Sequence, residues 1–213
     1  MLLNRLEFLL MNNPFRAALQ RHVEARMFLR MGGPVAGAKA LEIGCGRGVG
    51  VKLILDVFGA ATVVAFDLDP RMVTLARHRL RRRQAQVRLW VGDAAAITAP
   101  DAAYDAVFDF GIIHHVPNWR AALAETYRVL KPGGSLYAEE PLGSVLNHRL
   151  MHRLFAHPTS DRFEAADFRH AIEAAGLFIC AERHLCHMFS WFVATKPSSV
   201  ASPDQEAASP TKL

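Results

Sequence analysis

Five short apolar runs alternate with stretches of helical character along the first two thirds of the chain: KALEIG (39–44), ATVVAFD (61–67), VRLWVGD (87–93), YDAVFDF (104–110) and SLYAEE (135–140). Continuous Val/Ile/Phe runs read as strands buried on both faces, and strands that alternate with helices lie parallel in one sheet. The intervening helices carry their own punctuation. Gly59 stops the helix within GVGVKLILDVFG, and Pro70 opens one that runs through Arg82. A third, from about Asn118 to Leu130, is closed by KPGG, whose proline and glycines cannot continue it. The pattern predicts a doubly wound α/β domain.

The chain of 213 residues fits one such domain. Residues 1–31 read as one or two amphipathic helices interrupted at Asn13-Pro14, residues 32–196 as the main domain, and residues 142–160 as an apolar and basic insertion. Residues 197–213, rich in Ser, Pro and Ala, predict a disordered tail. Cys45, Cys180 and Cys186 are too scattered for a disulfide framework, and no stretch approaches the roughly 20 apolar residues of a membrane span, so a cytoplasmic protein is expected. The net charge is +5, and RHRLRRR (77–83) contributes five arginines. Met72, Val73, Ala76 and Leu80 recur beside them at helical spacing, which makes the cluster a solvated helix face; nucleic acid or anionic lipid is its other use.

The first strand-to-helix turn, LEIGCGRGVG (41–50), puts four glycines into ten residues. In an open parallel sheet this turn lies where ligands bind, and glycines let the backbone approach a ligand closely. The dinucleotide spacing G-x-G-x-x-G fails, because from Gly44 its third glycine falls on Val49. A P-loop fails too, since no Gly-Lys-Ser/Thr follows. What stands here is E-x-G-x-G-x-G, from Glu42 to Gly48.

Together with VAFDLDPRMVTLA, VGDAAAI and the long stretch from YDAVFDF through HHV to LKPGG and YAEEP, this motif resembles those of the class I S-adenosylmethionine-dependent methyltransferases, in the same order, over roughly residues 38–195. The resemblance implies a Rossmann-like, mostly parallel seven-stranded sheet with helices on both faces, and S-adenosylmethionine as cofactor, released as S-adenosylhomocysteine. It implies that the backbone of Gly44, Cys45 and Gly46 receives the methionyl end while Glu42 orders the loop. Asp67 would accept from the ribose hydroxyls, and Leu68 and Met72 would sandwich the adenine. Asp93 would accept from the adenine amino group, with the Ala94 N–H near a ring nitrogen. Phe110 and Asp109 would run past the sulfonium, Asp109 serving the methionyl ammonium. Asp69, just before Pro70, reads as a helix N-cap instead, and Asp105 as a solvated residue.

Methyl transfer needs a general base only when the acceptor arrives protonated. The candidates are His114 and His115, either as base or as histidines bonded to backbone at a helix start, and Glu139 or Glu140, of which strand alternation sends one to the site; Glu139 is taken as that one. His148 and His152 share a helical face, with His157 beyond, and suit a lid better than a metal, so no metal is expected. His184 and His187 read as structural. DFGI (109–112) lacks the prolines of enzymes that methylate amines of nucleic-acid bases, and no cysteine follows a proline as cytosine C5 enzymes require. The resemblance therefore points to a small-molecule acceptor, as in quinone and lipid-headgroup methylation, and away from nucleic acid. Residues 1–31 and 142–160 become an apolar cap, through Leu3, Leu6, Leu10, Phe15, Leu146, Leu150, Leu154 and Phe155. Transient membrane-surface contact and a monomer or homodimer fit this reading. A non-catalytic S-adenosylmethionine-binding subunit and a membrane-surface or nucleic-acid binder are the rivals.

Overall fold

The computed structural model describes residues 23–142, 163–186 and 188–198. The expectations for Leu3 to Phe15, for the lid with its histidines, for His187 and for residues 199–213 lie outside the described residues. Seven strands form one sheet: β1 (Lys39–Ile43), β2 (Thr62–Asp67), β3 (Val87–Val91), β4 (Tyr104–Phe110), β5 (Leu130–Pro141), β6 (Phe178–Leu185) and β7 (Phe189–Thr195). Their order is β3-β2-β1-β4-β5-β7-β6. β1 to β5 run parallel, and β7 pairs antiparallel with both β5 and β6. The architecture is therefore the mostly parallel, doubly wound α/β sheet read from the sequence, with strand order reversing between β1 and β4.

Among the described residues five helices cover it: α1 (Ala25–Gly32), α2 (Val49–Asp56), α3 (Pro70–Arg79), α4 (Trp119–Val129) and α5 (Ala165–Ala174). Their starts follow local chemistry. The Asp69 side chain accepts from Arg71 N–H ahead of Pro70, and Asn118 accepts from Ala121 N–H at the head of α4. α3 ends at Arg79, short of Arg82, and a 3-10 turn carries Arg81–Arg83. Met72, Val73, Ala76 and Leu80 are buried, while Arg77 donates to the Leu89 carbonyl and Arg83 pairs with Asp56. β5 begins at Leu130 rather than Ser135. Leu130 pairs with Tyr104 and the register breaks before Ala106, so KPGG forms an irregularity inside the strand.

Period-two alternation splits the core. Leu41, Ile43, Val107, Leu136 and Phe192 pack on one face with Trp119, Leu123 and Phe168 of α4 and α5. Ala40, Ala65, Phe108, Tyr137 and Val193 pack on the other with Phe28 of α1 and Ile54 of α2. α1 is fastened there: Phe28 meets the rings of Phe110 and Tyr137 edge-on, and the Tyr137 hydroxyl donates to the Gly32 carbonyl at 2.9 Å. His184 lies in β6 and bonds Ser190 and Glu182. Among the described residues no helix is long and apolar enough to cross a membrane.

Candidate active site

The turn after β1 is shaped by backbone that side chains cannot copy. Gly44, Gly46 and Gly48 have φ of +69°, +47° and +78°, in the left-handed region that costs other residues about 1 kcal/mol or more. The reasons for glycine differ. A Cβ on Gly44 would lie 2.5 Å from Ile112 Cγ1, whereas one on Gly46 would meet nothing within 4 Å. Gly44 lets the fold close, and Gly46 presents bare backbone to open space.

Glu42 sits beneath this loop, buried, on the face shared with Phe108 and Phe110. Its carboxylate accepts from Val51 N–H in the first turn of α2 and occupies the place a Cβ on Gly50 would need. Glu42 thus caps α2 from the end of β1. Burial holds its pKa well above the ordinary glutamate range, and the nearby Asp67 adds to the effect. Its Oε2 has no hydrogen-bond donor among the described residues. Cys45 is buried beside it, with its N–H bonded to the Phe66 carbonyl and its thiol held up by desolvation.

Asp67 ends β2 at the height of the loop. Its Oδ2 accepts from Gly46 N–H and its Oδ1 from Asp69 N–H, both at 2.9 Å. Burial raises its pKa, while those two bonds oppose the rise. Leu68 is 46% exposed and Met72 only 2%. Leu68 therefore lies at the surface, and Met72 lies inside. Asp93, after β3, is exposed and accepts from Ala95 N–H, which leaves Ala94 buried at the turn. Gly92 N–H donates to the Asp67 carbonyl, which joins this turn to the end of β2.

Beyond β4 the chain turns at Gly111, with φ +76°, into a 3-10 turn at Ile113–His115. Two buried carboxyls hold that turn. Asp109 Oδ1 accepts from Ile112 N–H at 2.9 Å, and Glu140 Oε1 accepts from Ile113 N–H at 2.6 Å. Glu140 Oε2 lies 2.5 Å from His114 Nδ1. Desolvation lifts Asp109 well above its ordinary range and carries Glu140 to about 8. The neighbouring Glu140 carboxyl pushes Asp109 further up, and Asp109 Oδ2 has no hydrogen-bond partner among the described residues. The His114 and His115 rings lie 4.1 Å apart, both largely buried.

Alternation decides between the two glutamates. Glu140 projects to the Asp109 face and reaches His114, while Glu139 pairs in register with Phe110 and Trp191 on the opposite face. Glu42, Gly44, Cys45, Gly46 and Asp67 gather at one end of the sheet; Asp109, Glu140, His114 and His115 gather next to them along it. Sequence reasoning left Glu140 unassigned because the phase of β5 was open. Ser190, opposite Glu140 in β7, was not singled out at all, and only the pairing of β7 with β5 reveals it.

Residues 40–134 match a family described as a methyltransferase domain. A malonyl-[acyl-carrier protein] O-methyltransferase from Serratia marcescens is 39% identical over 118 residues, 55% of this chain and 44% of that protein. A demethylmenaquinone methyltransferase from Tropheryma whipplei is 35% identical over 112 residues, 52% of this chain and 45% of that one. The matches thus span less than half the length of these relatives. Among solved structures, the methyltransferase in complex with the Haloferax volcanii Trm112 activator superposes with a TM-score of 0.73 at 19% identity, over 90% of this chain and 98% of that chain. At that identity the likeness is one of fold.

Proposed function

We propose that this chain is a class I S-adenosylmethionine-dependent methyltransferase that transfers the methyl group to a small acceptor with an apolar body. The observation that carries the reading is the hydrogen bond from Gly46 N–H to Asp67, which sets a cofactor-sized row of bare backbone and carboxylate at the switch point of the sheet. The residues present suit the cofactor. Open space stands before Gly46, and Glu42 Oε2 is buried without a donor among the described residues. When bound, S-adenosylmethionine supplies an electrophilic methyl group on a sulfonium.

Gly44, Cys45 and Gly46 would hold the methionyl end with main-chain groups, since no side chain intrudes at Gly46. Asp67 keeps lone pairs for two ribose hydroxyls while it orders the loop. Leu68 would cover one side of the adenine with Met72 behind, and Asp93 and Ala94 would meet its edge. Phe110, Asp109 and the His114–His115 turn would border the methyl group, with Glu139 on the far face of β5. The chain's main work is to align the reacting atoms and exclude water. A relative named for demethylmenaquinone supports an apolar acceptor. His114 and His115, at the end of β4, support catalysis by this chain over a purely binding role.

Calorimetric titration with S-adenosylhomocysteine, with NAD in a parallel cell, tests the reading. Micromolar binding of the former and none of the latter is expected. The reverse result, or binding of neither, overturns it.

A further inference from the structure

The reading above leaves the buried Glu140 unused. Glu140 has no exposed surface, yet it gathers polar partners from two directions, Ile113 N–H and His114 Nδ1, with the Asp109 carboxyl close by. Burying a carboxyl this deeply is costly unless its bonds do something the fold requires. A turn of three residues needs only one cap, and Asp109 already caps it at Ile112. The second carboxyl is spent on an imidazole.

We infer that Glu140 is the positioning residue of the site, fixing the His114 ring through Nδ1 so that this histidine takes the proton of an acceptor that arrives as a hydroxyl or an ammonium. This rests on the methyl-transfer reading above and names its acceptor class. The X–H bond breaks as its proton passes to the imidazole. The electron pair left on X forms the new bond to the methyl carbon, and the pair of the broken carbon–sulfur bond stays on sulfur. The resulting imidazolium faces the Glu140 carboxylate, which offsets its charge. A carboxylate acceptor has no proton to give, and it would approach the Asp109 and Glu140 carboxyls at the ends of β4 and β5.

The groups around Glu140 are Asp109 from β4, His114 from the turn and Ser190 opposite it in β7, with Glu139 next to it in β5 on the other face. The device works with Glu140 ionised, so methyl transfer rises with pH through about 8.

The test uses the full chain labelled with ¹⁵N-histidine, saturated with S-adenosylhomocysteine at pH 9, and read by long-range proton–nitrogen spectra. His114 is expected with its proton on Nδ1. In Glu140→Gln, the Ile113 N–H holds the amide oxygen, so the amide NH₂ faces the ring and the proton moves to Nε2. The same variant should slow methyl transfer to a panel of phenols and amines about tenfold or more, erase the rise near pH 8, and keep homocysteine-compound affinity within about twofold. An unchanged tautomer or an unchanged pH profile overturns the role of Glu140. Transfer to carboxylates but not to phenols or amines overturns the acceptor class. If Glu140→Gln does not fold, the wild-type spectrum alone decides, and an Nε2 proton at pH 9 sinks the inference. A wild-type chain that binds no S-adenosylhomocysteine refutes the methyl-transfer reading instead.

Discussion

Asp67 and Gly46 are joined by a 2.9 Å hydrogen bond from the Gly46 N–H to Asp67 Oδ2, which makes the end of β2 and the loop after β1 one unit. A ligand that bonds to either therefore meets a surface already ordered. Such preorganisation lowers the cost of binding.

Asp67→Ala should weaken S-adenosylhomocysteine binding by about 1–3 kcal/mol, the worth of charged hydrogen bonds to hydroxyls together with the loosened loop. Calorimetry at fixed pH measures it. Unchanged affinity would remove Asp67 from the cofactor site.

Gly44→Ala and Gly46→Ala should separate folding from binding. Both place a side chain at positive φ, costing about 1–2 kcal/mol, but only the first also drives a methyl group into Ile112. Thermal melts should show the larger loss for Gly44→Ala. Ligand titration should show the larger loss, relative to stability, for Gly46→Ala. Equal effects in both assays would contradict the different surroundings of the two positions.

The pH dependence of stability follows from Glu140. Its folded pKa, about 8, lies above the 4.5 of an unperturbed glutamate, so the folded state binds the proton more tightly than the unfolded chain does. The resulting stabilisation is complete below about pH 4.5 and is lost as pH rises through about 8. Melts of wild type between pH 5 and 9 should therefore fall more steeply than those of Glu140→Gln. Parallel curves would show that Glu140 titrates normally.

His114→Gln should reduce turnover by about 10²-fold while leaving S-adenosylhomocysteine affinity within about twofold, as loss of a proton acceptor predicts. Steady-state assays on the identified acceptor, paired with calorimetry, check it. If His115→Gln produces the larger loss, the roles of the two rings are exchanged.

Local chemistry was the most legible part of this protein. Asp69 before Pro70 and Asn118 before Trp119 announce their caps because the bond closes within three residues. The strands β1, β2 and β4 are legible because burial on both faces leaves an unbroken apolar run. Glu139 and Glu140 were not distinguishable, since alternation states that they diverge but not which face each takes; that phase comes from β4 and β7 on either side. The start of β5 was hidden by KPGG, which is a helix stop by composition and a strand irregularity by pairing. Met72 and Leu68 read alike as apolar residues near a ligand, and only helix packing places one inside and the other at the surface.

β7 lies inside the sheet, between β5 and β6, though it follows both of them in the chain. On the ribosome β5 therefore emerges long before the neighbour that covers its far edge. Until Phe189–Thr195 has been synthesised, Trp191 and Ser190 are not yet opposite Glu139 and Glu140, and water can still reach both carboxyls. A nascent chain thus carries ordinary, ionised glutamates there, and the dry acidic cluster is assembled only once β7 has been made.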